Sequence, residues 1–391
     1  MNAEQLRKIP TIQEFFNVSP EGEIKEGTKL LLDSMVQVDI EKGKDIVTVG
    51  NECDDGMYII VSGTAVVLSA DNKKINELHE GDFIGEKGLI NDETRSATVR
   101  ALTDVVCANI SKQLFEEIAM ANRKIYGSFL NMLYTKTTKL VTEQERIKSE
   151  LAIATKIQLE CLENDFTEFN ALENVSLTAR TRPAKEVGGD FYDVFMIDKT
   201  HLCFLIADVS GKGVPAALFM SMAKTYIKTY ATLNLPLTEV MSKSNDRLCY
   251  KNESGMFVTA FVCVLDLETD DVTFVNAGHN LPFLICGNDA TMIDAKANLV
   301  LGMMEGVPYK EQHFELKKGQ SVYLYTDGVT EAVNPEFELL GDDYIKEVII
   351  KHSDRVSDVE YFVQKIYDEV DLFADGADQA DDITMLLLSR G

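Results

Sequence analysis

The 391-residue sequence predicts a multidomain protein: an N-terminal β-barrel, a helical connector and a C-terminal α+β sandwich. Three observations carry this. Short Val-, Ile- and Thr-rich runs crowd residues 36–110 between glycine and Asp/Asn turns. From Ser111 to Asp165 there is no proline and one glycine, Gly127. From Ala171 onward, apolar runs and amphipathic stretches alternate, with several strand-like runs in succession. The expected boundaries are 1–127, 128–165 and 166–391.

Short helices are expected over the first 35 residues. The strands that follow are read at DIVTVG, GMYIIVSGTAVVLSA, KINELHEGDFIGE and SATVRALTDVVCANI, enough for a small antiparallel barrel or sandwich. The segment from Ser111 to Asp165, rich in Leu, Ile, Lys, Glu and Gln, has helix composition. Unbroken, it would reach roughly 80 Å at ~1.5 Å per residue, and Gly127 is the expected break. Leu140, Ile147, Ala154 and Cys161 recur every seven residues, with Leu151 offset and Gln144 and Gln158 interrupting. That imperfect heptad fits an amphipathic helix lying on a domain or a dimeric coiled-coil connector. In the last zone, strands are read at HLCFLIADV, MFVTAFVCVLDL, DVTFVNAG, SVYLYTDGV and ITMLLLS. Helices are read at AALFMSMAKTYIKTYATL, DYIKEVIIKH and DVEYFVQKIYDEV.

Lys and Arg number 38 against 64 Asp and Glu, a net charge of −26. A nucleic-acid binder or a protein held on anionic lipid needs a basic face, so no nucleic acid and no membrane partner is expected. One local arginine can still bind a phosphate. No run approaches the ~20 apolar residues of a membrane span, and the first residues do not read as a secretory signal. The seven cysteines form no CxxC pair and most lie in apolar runs, as free thiols in a reducing cytoplasm do. Five histidines make no zinc spacing, so any metal must be bound by carboxylates.

The segment GDFIGEKGLINDETRSATVRA contains the first candidate site. A short helical turn over Glu86–Ile90, a loop over 91–94 and a return to strand at Arg95-Ser96-Ala97 would offer backbone amides and a guanidinium fork to an anion. A carboxylate, Glu86, beside a phosphate cradle makes sense when the ligand also carries hydroxyl donors, which a nucleotide does. The alternative is a non-binding barrel with Arg95 in an ordinary salt bridge. With Gly85 ten residues before Arg95, and Gly50, Gly56, Gly63 and Gly81-Asp82 upstream, the segment resembles the phosphate-binding cassette of cyclic nucleotide-binding domains over about residues 10–127. The resemblance implies a jelly-roll barrel. It implies that Gly85, Glu86, Arg95, Ser96 and Ala97 bind the ligand, Glu86 at the ribose and Arg95 with Ser96 at the cyclic phosphate. Ile84 and Lys87 depart from the usual Phe and apolar residue without removing a phosphate donor. Ser96 favours cAMP and leaves cGMP open.

Four acidic motifs form the second candidate: VGGDFYD, IADVSGKGVPAAL, LYTDGVTEA and DQADDITMLLL. Carboxylates at strand ends and glycine turns, without His or Cys partners, suit hard cations such as Mg²⁺ or Mn²⁺. Divalent ions held there lower the pKa of water and polarise a phosphoryl group. Together with NAGH and the IQ of Ile157-Gln158, the ordered set is similar to the PPM-type metal-dependent serine/threonine phosphatases, and more closely to their SpoIIE-like, sigma-factor-regulating bacterial group, over about residues 150–391. That resemblance implies two Mn²⁺ or Mg²⁺ ions. Asp190 would bridge them, Asp208 and the Val209 carbonyl would join the first, and Asp327 and Asp381 would complete a catalytic site. Asp193 and Asp382 are expected in supporting roles. His279 is read as part of a tight turn rather than a general acid, and Lys212 as either facing the phosphoester or solvated. LECLEN after Gln158 departs from the group's pattern.

The combined expectation is a cytoplasmic, homodimeric, cyclic-nucleotide-regulated phosphatase acting on a phosphorylated anti-anti-sigma (STAS) protein. The alternative is a non-catalytic sensor whose phosphatase-like domain only binds a partner.

Overall fold

The computed structural model describes residues 2–16, 18–89, 94–121 and 123–391. The chain divides into two compact units, residues 1–147 and 148–391.

The first unit opens with α1 (Ala3–Leu6), α2 (Pro10–Phe16) and α3 (Glu26–Asp33). Asn2 and Gln5 start α1 with a reciprocal capping box. Among the described residues eight strands follow: β1 (Val36–Ile40), β2 (Asp45–Val47), β3 (Met57–Ser62), β4 (Ala65–Leu68), β5 (Lys74–Leu78), β6 (Phe83–Ile84), β7 (Thr98–Ala101) and β8 (Val105–Ile110). They form two four-stranded antiparallel sheets, β1-β8-β3-β6 and β2-β7-β4-β5. Ile46, Ile60, Ala65, Val99 and Cys107 fill the space between them. The alternate residues of β3 and β8, Met57, Ile59, Ala108 and Ile110, join a second core with the N-terminal helices, Phe115, Phe129 and Met132. The barrel expectation therefore stands.

Two helices follow, α4 (Lys112–Ala121) and α5 (Arg123–Glu160). Gly127 is not a break: it lies inside α5. Its position is open, and one helical glycine weakens a helix by only about 1 kcal/mol. In α5, Leu140, Ile147, Ile153 and Ile157 are exposed.

The second unit contains the end of α5, then α6 (Thr167–Asn170), β9 (Val175–Arg182), β10 (Phe191–Met196), β11 (His201–Val209), α7 (Val214–Ala231), α8 (Leu237–Cys249), β12 (Val258–Asp266), β13 (Asp271–Ala277), β14 (Phe283–Cys286), β15 (Asp289–Met292), β16 (Gln312–Glu315), β17 (Gln320–Tyr325), α9 (Asp327–Thr330), α10 (Gly341–His352), α11 (Val359–Ala374) and β18 (Ile383–Arg390). Two five-stranded sheets, β10-β11-β12-β13-β16 and β15-β14-β17-β18-β9, stack face to face. Val322 and Leu324 of β17 and Leu386 and Leu388 of β18 enter the inter-sheet core. Their neighbours Tyr323, Tyr325, Met385 and Leu387 pack with residues of α10 and α11 instead. Both faces are buried, so these strands read as unbroken apolar runs rather than alternating ones. Residues of α7 and α8 join the first sheet's side. The result is an α-β-β-α sandwich, the α+β architecture expected.

Of the seven cysteines, Cys53, Cys107, Cys203 and Cys263 are buried, Cys249 is intermediate, Cys161 and Cys286 are exposed, and none is in a disulfide. No helix among the described residues is long and apolar enough to cross a membrane.

Candidate functional site

In the barrel, Cys53, Gly85, Glu86, Lys87, Gly88, Thr94, Arg95 and Ser96 line a cavity of about 240 Å³. Gly85 has φ 74°, and a Cβ there would collide with the Arg95 guanidinium, so glycine is required twice over. A 3₁₀ turn at Glu86–Leu89 begins the cassette. Ile90 and the loop expected over 91–93 lie outside the described residues. Strand structure resumes at Thr98, so Arg95, Ser96 and Ala97 precede the strand rather than open it. The Arg95 amide bonds the Asn51 carbonyl at 2.9 Å, and Gly50 N bonds the Arg95 carbonyl, which fixes this segment without a ladder.

Arg95 is 5% exposed. Its guanidinium pairs with Asp55 and donates to the Gly56 carbonyl at 2.5 Å and the Gly85 carbonyl at 3.3 Å. The Glu86 carboxylate pairs with Lys136 of α5, whose ammonium also stands 5.6 Å from the centre of the Phe83 ring. The salt bridge weighed for Arg95 is thus present, on the wall of the cavity. Asp55 and Lys136 were not singled out from sequence. Asp55 was legible in the turn CDDG, but Lys136 is one lysine among many on a polar helix.

In the second unit, four strand ends gather the acidic motifs. Asp190 precedes β10, Asp208 is the penultimate residue of β11, Asp327 follows β17 and Asp381 precedes β18. Asp190 is 4% exposed and accepts a 2.6 Å bond from Thr326. Burial and then the Asp208 charge raise its carboxyl well above the usual carboxylate range. Asp208 is pushed up to about 7, by burial first and then by Asp327. Asp327 is raised by burial, Glu331 and Asp381. Mutual repulsion of this kind is what a cation relieves.

Lys212, in the SGKG turn before α7, lies among these charges, 2.8 Å from Asp381 and 2.5 Å from the Ala380 carbonyl. Burial works to lower its pKa, but Asp381, Asp382 and Asp327 outweigh it and the net direction is up. The side chain is therefore exposed but ion-paired. Among the described residues, no three carboxylate, thiol or imidazole groups close on one point tightly enough to hold an ion alone. The donor set still fits a hard divalent cation that keeps several waters: oxygen only, from separate strand ends. The Val209 carbonyl faces Gly189, where a Cβ would approach to 2.9 Å. A side chain at that position would crowd the carbonyl, so a glycine stands next to Asp190.

Asp382 accepts from the amides of Ala184 and Gly189, both at 2.7 Å, so it shapes the loop that delivers Asp190. Gln158 of α5 grips the same loop, donating to the Gly188 carbonyl at 2.6 Å and accepting from its amide at 3.1 Å. Asp193 is fully buried and paired with Lys224 and Lys228 of α7, away from the carboxylate group. Sequence reasoning overlooked Thr326, although it directly precedes Asp327 in YTDG.

The Stage II sporulation protein E (SpoIIE) family model matches residues 198–391, and the cyclic nucleotide-binding domain model matches residues 37–122. The phosphoserine phosphatase RsbU of Bacillus subtilis (strain 168) is 34% identical over 265 residues, 66% of this chain and 75% of that protein. The chain belongs to the SpoIIE-like protein serine phosphatases. It carries a cyclic nucleotide-binding domain ahead of the phosphatase domain. The SiaA-PP2C domain of Pseudomonas aeruginosa has the same fold, with a TM-score of 0.55 at 19% identity over 64% of this chain and 98% of that one. A cAMP-dependent protein kinase regulatory subunit of Mucor circinelloides f. lusitanicus is 36% identical over 91 residues, 22% of this chain and 21% of that protein. Membership sets aside the non-catalytic alternative. The SpoIIE match begins after Asp190, so that residue's place rests on the geometry above.

Proposed function

We propose that the chain is a cyclic-nucleotide-regulated, divalent-metal-dependent phosphatase of a phosphoserine-bearing STAS protein, working as a homodimer. The observation that carries this reading is the meeting of Asp190, Asp208 and Asp327, carboxyls raised by burial and one another's charge, on a chain that also holds the Arg95–Glu86 cavity.

Asp190, Asp208, the Val209 carbonyl, Asp327 and Asp381 would hold two Mn²⁺ or Mg²⁺ ions. Bound there, such ions lower the pKa of water and offset charge on the phosphoryl oxygens. The chain's own groups prepare that centre. Thr326 fixes the carboxylate plane of Asp190. Asp382 and Gln158 hold the loop leading to it. Lys212 supplies a positive charge that can pass from Asp381 to a phosphate oxygen. In the cassette, Arg95 and Ser96 would meet the cyclic phosphate of cAMP and Glu86 the ribose hydroxyl.

The regulatory part rests on α5. It contributes Phe129 and Met132 to the first unit's core and Gln158 to the Asp190 loop of the second. Its exposed Leu140 and Ile147 supply apolar positions seven residues apart for a second copy. The test is release of phosphate from a phosphoserine STAS protein by the full chain with Mn²⁺, with and without cAMP. Turnover that survives EDTA, or ignores cAMP and cGMP despite their binding, overturns the metal or the regulatory part respectively.

A further inference from the structure

The NAGH segment, which ends β13 and turns out of it, is not used by this chemistry, yet its histidine is held at both its backbone and its ring. His279 is 6% exposed. Its backbone is clamped by Asn276, which accepts from the His279 amide at 2.8 Å and donates to its carbonyl at 3.1 Å. Both ring nitrogens are engaged. Nε2 lies 3.2 Å from the carbonyl oxygen of Tyr325, and Nδ1 lies 2.8 Å from the Thr259 hydroxyl. A carbonyl only accepts, so Nε2 carries the hydrogen and donates. Nδ1 of the neutral ring then accepts from Thr259. A ring so committed is not a general acid.

Its partners belong to different sheets. Thr259 is in β12, directly opposite Asp208 in the β11–β12 register. Tyr325 ends β17 in the facing sheet, two residues before Asp327. We propose that His279 is a positioning residue for the carboxylate centre: its ring ties the two sheets at the end where the acidic residues gather and sets Asp327 against Asp208. The inter-sheet core is apolar, and apolar contact is non-directional. It holds the sheets together without fixing their slide. Metal ligands need placement to about 0.2 Å. Directional bonds supply that, here the His279 bridge and the Thr326–Asp190 bond.

The inference rests on the metal reading of the carboxylates, and the experiment separates the two. Mn²⁺ binding to the full chain is measured by calorimetry, beside thermal melting of the metal-free protein, for wild type, His279→Gln, His279→Asn and Thr259→Val. A glutamine amide nitrogen reaches the place of Nε2, whereas asparagine reaches only that of Nδ1. His279→Asn should weaken Mn²⁺ binding about 10- to 100-fold, the range for lost outer partners of a metal site, while His279→Gln keeps it within about 3-fold. Thr259→Val frees the ring and should weaken binding by about 3- to 10-fold. If Asn and Gln variants lose affinity equally, or if neither loses any while both melt lower, the histidine is only packing and the proposal fails. Should the Asn variant not fold, unchanged affinity in Thr259→Val overturns it. A wild type that binds no Mn²⁺ refutes the metal reading instead.

Discussion

Lys136→Met should tighten nucleotide binding. Glu86, the proposed ribose acceptor, is engaged with Lys136 before any ligand arrives, and the two side chains are 18% and 25% exposed. A nucleotide hydroxyl can use that carboxylate only by sharing or displacing the ammonium. Fully exposed ion pairs contribute about 0.2–1 kcal/mol, and desolvated hydrogen bonds to charged groups about 1.5–3. This half-buried pair falls between, so about 1 kcal/mol is a fair figure, or roughly 5-fold in affinity. Methionine keeps a side chain of similar length beside Glu86, and residue 136 is not among those lining the cavity. Arg95→Ala is the opposite control: it removes a charge-assisted fork and should weaken binding at least about 10-fold. Calorimetry with cAMP and cGMP at fixed ionic strength measures both variants. Binding by Lys136→Met that is unchanged or weaker would show that the ammonium does not compete with ligand, and would refute the reasoning.

Asp208→Asn should lower Mn²⁺-dependent hydrolysis of p-nitrophenyl phosphate by roughly two orders of magnitude, as a charged donor at the carboxylate centre is lost. Saturating cAMP should raise turnover on a phosphoserine STAS protein about 5- to 150-fold, the range of ordinary coupling energies, and Arg95→Ala should abolish the response. Burial lowers His279 to about 4 from 6.5, so protonation favours the unfolded chain. Its contribution is complete above pH 6.5 and is lost as pH falls toward 4, by up to about 3 kcal/mol. Denaturant titrations should show His279→Gln losing less stability than wild type across that window. Asp193→Asn strands the buried Lys224 ammonium and should destabilise the phosphatase domain by about 3–5 kcal/mol, read from the same titrations.

Much of this molecule was legible because its chemistry is local in sequence. Gly85, Glu86 and Arg95 lie within one segment, and Asp208, Val209 and Lys212 within another. The long apolar strands β11, β12 and β18 announced themselves by length, because both their faces are buried. The short strands did not: β14 to β16 have four residues each, too few to show a period. Strand β10, FYDVFM, was hidden behind the motif VGGDFYD, whose acidic residues drew attention to chemistry rather than to backbone. Partners at long separation were invisible. Asp190 meets Thr326, Glu86 meets Lys136, and His279 meets Tyr325 only after the sheets have assembled. Gly127 misled because composition records a weak helix former but not the packing of Phe129 and Met132 that holds the helix through it.

The two sites share a physical arrangement. Three of the charged groups proposed to meet a ligand already have a counter-charge from their own unit: Asp55 for Arg95, Lys136 for Glu86 and Lys212 for Asp381. An unpaired charge at such depth would be expensive, so the folded chain needs these partners in the absence of ligand. Binding then becomes an exchange of partners rather than the filling of a void. Exchange reduces affinity, because one interaction is lost as another is gained. It also turns occupancy into movement, since the displaced group must find a new place. In the cassette one displaced group is Lys136, a side chain of the same α5 whose last turns hold the Asp190 loop through Gln158. A ligand can shift a conformational equilibrium only by its difference in affinity for the two states. On the proposed reading the Lys136–Glu86 pair is such a difference: it is present in the ligand-free chain, and a nucleotide hydroxyl at Glu86 would weaken or displace it. Removing it by Lys136→Met should therefore tighten binding and at the same time shrink the response of turnover to nucleotide, a combination that a purely structural lysine would not produce.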